Sequence, residues 1–243
     1  MKIGVYGDSF ACQHTTVESA TITWYNMLAN FIPNSTVKSY GWGATSLFYS
    51  YKSFLKTYHE FDKIIFLVTN PDRYTKEVEF TTGRKEFFAN IFHTDHILKN
   101  NKDLSSIDIR IINDLKGWFM SLDSEYNSLM SEFMIQNMEK LHNDIIFFPC
   151  FPSSLTDERL NMYKLTSSMN MINIFDRQKQ LLNNADLWAM DESKEHISCH
   201  LSEEFNLFVA KLFANKILKN QWNWHEMYDV KLTHDLNYYF SFR

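Results

Sequence analysis

Four short apolar runs constrain this chain most: Lys2–Tyr6, Thr36–Tyr40, Lys63–Thr69 and Asp144–Cys150. The third reads Lys-Ile-Ile-Phe-Leu-Val-Thr and the fourth Asp-Ile-Ile-Phe-Phe-Pro-Cys, nearly continuous in apolar residues rather than alternating. A strand without a polar face must be covered on both sides, which is the pattern of a buried parallel sheet. Met169–Phe175 is a fifth, weaker candidate. Helical patterns lie between the runs. Thr21–Phe31 carries Trp24, Leu28 and Phe31 on one stripe, and Leu47–Tyr58 carries Leu47, Tyr51, Phe54 and Leu55. Strands alternating with helices predict right-handed crossovers and a three-layer α/β/α fold with a mostly parallel central sheet.

The third and fourth runs are separated by more chain than one crossover needs, so an insertion is expected around residues 72–142. Asp72–Lys102 mixes charge, Thr and Phe without a clean period and reads as an insertion or lid near the site. Ile107–His142 reads as one long helix or two, with Gly117 and Ser121–Ser124 as candidate breaks. The last helix is the clearest. Ser202, Glu203 and Glu204 form a capped acidic start, and Phe205, Phe208, Val209, Leu212, Phe213 and Ile217 share one apolar face. A single domain is therefore expected over residues 1–220. The aromatic tail 221–243 is expected to pack back on it or on a second subunit, as a homodimer contact.

Composition removes several function classes. The net charge is −5 with no Lys/Arg cluster, which argues against nucleic acid or an anionic membrane as partner. No run of apolar residues is long enough for a membrane span. Met1-Lys2-Ile3-Gly4-Val5-Tyr6 enters a strand directly, without a signal-peptide apolar region. Cys12, Cys150 and Cys199 are odd in number and lack metal-type pair spacing, the usage of reduced thiols in a cytoplasm.

Chemistry concentrates at the ends of the apolar runs. Gly7-Asp8-Ser9-Phe10 follows the first, Tyr40-Gly41-Trp42-Gly43-Ala44-Thr45-Ser46 the second, and Asn70-Pro71-Asp72-Arg73 the third. In an open parallel sheet all three reach one rim, where ligands bind. A serine on a tight turn just past a strand is where a hydrolase presents its nucleophile. With only six glycines in the chain, Gly7, Gly41 and Gly43 count as backbone devices.

These blocks, together with Cys199-His200-Leu201-Ser202, resemble those of the SGNH (GDSL-type) hydrolase family. The resemblance implies Ser9 as nucleophile and His200 as base. It also implies an oxyanion hole made of the Ser9 and Gly43 N–H groups and the Asn70 amide. Such an enzyme would cleave a small or glycan-linked acyl ester through an acyl-serine, with no cofactor. The family's orienting acid stands three residues before the histidine, where this chain has Ile197. Asp191 and Glu195 are the carboxylates near enough in sequence to serve instead, with Asp191 preferred; a backbone carbonyl is a further choice. Arg73 is a candidate for holding an anionic substrate group.

Each residue also has a plainer reading. Ser9 could cap a following helix, Gly43 and Asn70 could be turn formers, and Arg73 a solvated charge. A non-catalytic binding or structural module with a degenerate triad is the alternative function, supported by Ile197. A flavodoxin-like mononucleotide site is disfavoured, because Gly7–Ala11 lacks a phosphate-cradling run of Gly, Ser and Thr. His93-Thr94-Asp95-His96 and His196–His200 have helical ligand spacing, but the second lacks the Glu after its first His; no metal is expected.

Overall fold

The computed structural model describes residues 1–12, 23–43, 45–88, 91–101, 103–150, 171, 174, 177, 180–181 and 201–231. Strands β1 (Lys2–Tyr6), β2 (Thr36–Ser39), β3 (Lys63–Val68) and β6 (Ile145–Pro149) form one parallel sheet in the order β2-β1-β3-β6. Register pairs Val5 with Ser39 on one side and Tyr6 with Phe66 on the other, while Phe66 pairs with Phe147.

The continuous apolar runs have the consequence expected of them, since their alternate residues enter two different cores. Ile3, Val5, Ile65, Leu67 and Phe148 point to one face. There they meet α1 (Trp24–Leu28) and α6 (Glu203–Lys219), through Trp24, Leu28, Phe205, Val209 and Phe213. Tyr6, Ile64, Phe66 and Val68 point to the other. There α2 (Leu47–Thr57) and α5 (Ser124–Leu141) cover them with Leu47, Phe54, Ile135 and Met138. The result is a three-layer α/β/α fold. Each fully buried ring contributes about 1.5–3 kcal/mol. Trp24 stacks on Phe213 at 4.8 Å, so losing either would open a large void beneath the sheet.

Between β3 and α5 the chain builds a smaller core of its own. Strands β4 (Lys76–Glu79) and β5 (Lys85–Phe88) pair antiparallel, followed by α3 (Ile91–Asn100) and α4 (Ser106–Met120). Val78, Phe80, Phe88, Ile97, Ile112 and Leu115 are buried together. The 107–142 stretch is two helices. Gly117 is interior to α4, and the break falls at Ser121–Asp123, where the Asp123 carboxylate caps α5 by accepting from the Glu125 and Tyr126 N–H groups. The Met169–Phe175 strand is a correction: Met171 and Ile174 are helical and buried in the first core. Their three-residue spacing serves a one-faced helix, which a short apolar run cannot announce.

Asp108 joins α4 to the β4–β5 hairpin. Its carboxylate accepts from Ser105 Oγ at 2.7 Å, Thr81 Oγ1 at 2.7 Å and Thr81 N at 2.8 Å. The Ser105 hydroxyl does most to lower its pKa to about 2; burial opposes, and Thr81 adds to the lowering. The folded value lies below the unfolded one of about 3.9, so the contribution is complete above about pH 4. It is lost as pH falls through about 2. Asp108→Asn should therefore flatten the acid limb of the stability curve, followed by circular dichroism against pH. Identical acid limbs in the two proteins would refute this role for Asp108.

Beyond α6, Trp222 and Trp224 pack on Phe148 of the same chain at 5.5 and 5.6 Å. Residues 232–243 of the aromatic tail lie outside the described residues. Among the described residues, no helix is long and apolar enough to cross a membrane.

Candidate active site

The helices that follow β1 and β3, α1 and α5, cover opposite faces of the sheet, so the carboxyl ends of these strands flank the reversal of strand order, the usual ligand position in such sheets. Gly7 opens the turn with φ 154°, and a Cβ there would stand 2.7 Å from the Leu67 Cβ, so only glycine fits. Its carbonyl accepts from Ser50 Oγ at 3.1 Å. Residues Ser9–Ala11 then form one 3-10 turn.

Asp8, not Ser9, caps that turn, accepting the Phe10 N–H at 3.2 Å. Ser9 is the first residue of the turn and not its cap. Ser9 is half-buried, while every other residue from Ile3 to Ala11 is buried. The turn is gripped from several sides. Trp24 Nε1 donates to the Phe10 carbonyl at 2.7 Å, Tyr25 OH donates to the Cys12 carbonyl at 2.6 Å, and Ser39 Oγ donates to the Ala11 carbonyl.

The Asp8 carboxylate is fully buried and ties three strand ends together. It accepts from Thr69 Oγ1 at 2.9 Å, from Arg73 Nη1 at 2.9 Å and from Cys150 Sγ at 3.5 Å. A buried carboxylate has to be paired, and Arg73, whose side chain is 20% exposed, supplies the opposite charge. Sequence reasoning gave Asp8 no part. The available signal was a lone acid inside the otherwise uncharged stretch from Ile3 to Ala11.

Asn70 follows Thr69 as Ser9 follows Asp8, so the Asp8–Thr69 hydrogen bond brings Ser9 and Asn70 to the same rim. The Asn70 Oδ1 accepts from the Asp72 N–H at 2.8 Å. That donor fixes the amide's orientation and leaves Nδ2, the donor end, for a ligand. The two glycines after β2 differ. A Cβ on Gly41 would lie 2.2 Å from the Ala11 carbonyl carbon and oxygen, so close backbone approach demands glycine; a Cβ on Gly43 meets nothing within 4 Å.

The thiols nearby are poor nucleophiles. Burial raises the Cys12 pKa, against the lowering effect of the Gly43 N–H. Cys150 is pushed far up, by burial first and then by the Asp8 carboxylate, with Arg73 opposing. Among the described residues, no three His, Cys, Asp or Glu side chains could hold a metal ion together.

His200, Asp191 and Glu195 lie outside the described residues. Leu201, which follows His200, is described. It is buried in the same core as Phe10, and its carbonyl accepts from Asn206 Nδ2 at 2.9 Å. Asn206 Oδ1 accepts from the Trp24 N–H at 3.0 Å, and Trp24 holds the Phe10 carbonyl. The residue after Ser9 and the residue after His200 are thus joined through two side chains.

No protein-family model matches the sequence, and no curated protein matches it. Among solved structures, the chain is similar to one described as a family two carbohydrate esterase from Clostridium thermocellum in complex with cellohexaose. The likeness has 12% identity and a TM-score of 0.36, and covers 90% of this chain and 64% of that one. This chain therefore spans less than two thirds of the length of that structure, and its fold assignment rests on the layers and strand order above.

Proposed function

We propose that this protein is a serine ester hydrolase of the SGNH type, cleaving a small or carbohydrate-linked acyl ester. Ser9 Oγ attacks the acyl carbon while His200 takes its proton and then delivers it to the departing alcohol oxygen. Water, deprotonated by the same imidazole, releases the acid from the acyl-serine. The Ser9 and Gly43 N–H groups and Asn70 Nδ2 donate to the oxyanion, and Asp191 orients the imidazole. Arg73 acts first through Asp8, by fixing the Ser9 turn, and its exposed edge is what could meet an anionic substrate group.

One observation carries the reading. Trp24 binds Phe10 directly and Leu201 through Asn206, so the neighbours of the nucleophile and of the base are anchored to the same indole-bearing residue. One feature favours a second reading, a non-catalytic module on the same scaffold: Ile197 stands at the family's acid position.

A fluorophosphonate separates the two. Between about pH 6 and 9, where a histidine base is at least partly neutral, it should label the protein at a single site. Peptide mass mapping should place the adduct on Ser9, and Ser9→Ala should abolish it. Absence of labelling throughout that range would leave the binding module as the better account.

A further inference from the structure

Beside the Asn70 turn the chain exposes rings that its cores do not use. Trp118, near the end of α4, is 41% exposed, and Tyr126, in the first turn of α5, is 59% exposed. Tyr74 meets Trp118 edge to face, with ring centroids 5.3 Å apart and planes at 80°. The loop carrying Tyr74 is pinned on either side of it. Arg73 is held by Asp8 at 2.9 Å, and Thr75 Oγ1 bonds Ser46 Oγ at 3.1 Å at the start of α2. Asn127 Nδ2 donates to Asp72 Oδ1 at 3.3 Å, fastening the first turns of α5 to the same loop. Tyr74 therefore stands on a pinned loop four residues from Asn70, with Trp118 against it.

We infer that the Tyr74–Trp118 ledge, with Tyr126 beside it, is the subsite for a neutral sugar ring in the alcohol portion of the substrate. The inference rests on the ester-hydrolase reading for its position and deepens it. Exposed aromatic rings grouped beside a candidate site mark ligand contact. A pyranose offers a face of C–H groups to a flat ring and hydroxyls at its edge. Carboxylates at the border, Asp72 and Asp123, accept such hydroxyls and repel an anionic ligand. Consistent with that acidic border, the Tyr74 phenol is raised by burial first and then by Asp72, Tyr126 and Asp123. A quaternary ammonium would need ring faces converging around it, whereas Tyr74 and Trp118 stand nearly perpendicular.

The test compares acetylated methyl β-xylopyranoside with 4-nitrophenyl acetate in wild type, Trp118→Ala and Trp118→Phe. The ratio of kcat/KM for the sugar ester to that for the aryl ester should fall roughly tenfold in the alanine variant, chiefly through KM, and largely recover with phenylalanine. An unchanged ratio would overturn the subsite, as would a Trp118-dependent preference for acetylcholine over the sugar ester. A second measurement is independent of turnover. Calorimetry of Ser9→Ala with xylotetraose, cellotetraose and mannotetraose should show binding to at least one, lost on adding Trp118→Ala. Binding to none would overturn the subsite. Trp118-dependent binding in a protein that hydrolyses no ester would sustain the subsite while sinking the hydrolase reading.

Discussion

Arg73→Ala should destabilise the protein by about 3–5 kcal/mol, the cost of leaving a buried carboxylate without its counter-charge. Asp8 is fully buried, and its remaining partners are the Phe10 N–H, the Thr69 hydroxyl and the Cys150 thiol. Those neutral donors satisfy lone pairs but cannot cancel a charge. The effect should appear in urea unfolding as a lower midpoint with an unchanged slope. Pairing the change with Asp8→Asn should recover a large part of the loss, because the double variant buries no charge. A cost below about 1 kcal/mol would instead class the pair with exposed salt bridges and remove its claim to hold the site. The functional consequence follows from position. Asp8 caps the turn bearing Ser9 and bonds the residue before Asn70, so Arg73→Ala should also slow fluorophosphonate labelling in whatever fraction stays folded.

What was legible in the sequence follows from the range of the interactions concerned. The two inner strands, β1 and β3, could be read because burial on both faces leaves a local mark: Ile64, Ile65, Phe66 and Leu67 are all fully buried, whereas the edge strand β2 leaves Thr36 and Lys38 exposed. The helix start at Ser202 was equally local, its hydroxyl accepting from the Phe205 N–H three residues on. Residues 72–102 resisted because their core is small, and the β4–β5 hairpin carries Lys85 paired to Glu77 and Glu79 on its exposed side. Met171 and Ile174 misled for the opposite reason, since a few apolar residues suit a buried helix and a strand alike. At the candidate site, the proposed residues Ser9, Gly43 and Asn70 were picked out by their place at strand ends. Asp8 did not announce itself, because its partners Thr69 and Arg73 are 61 and 65 residues away. The roles of His200 and Asp191 remain proposals made from sequence and from the anchoring of Leu201 to Phe10 through Asn206 and Trp24.

Removing the proposed nucleophile should cost most. Ser9→Ala is expected to lower kcat for short-chain aryl esters by about a millionfold, down to what the oxyanion donors achieve alone. Asn70→Ala should cost about a hundred- to a thousandfold, the effect of losing one such donor. Asn70 does two jobs, however, and alanine removes both: Oδ1 holds the Asp72 N–H at 2.8 Å, while Nδ2 is the proposed donor. Asn70→Asp separates them. Its carboxylate still accepts the Asp72 N–H, so the turn and the unfolding midpoint should be kept, yet it puts a negative charge where the oxyanion forms. Aspartate should therefore be at least as damaging to kcat as alanine and gentler on stability. Wild-type turnover in Asn70→Asp would show that the side chain serves the turn alone, and the oxyanion would have to be held by backbone groups.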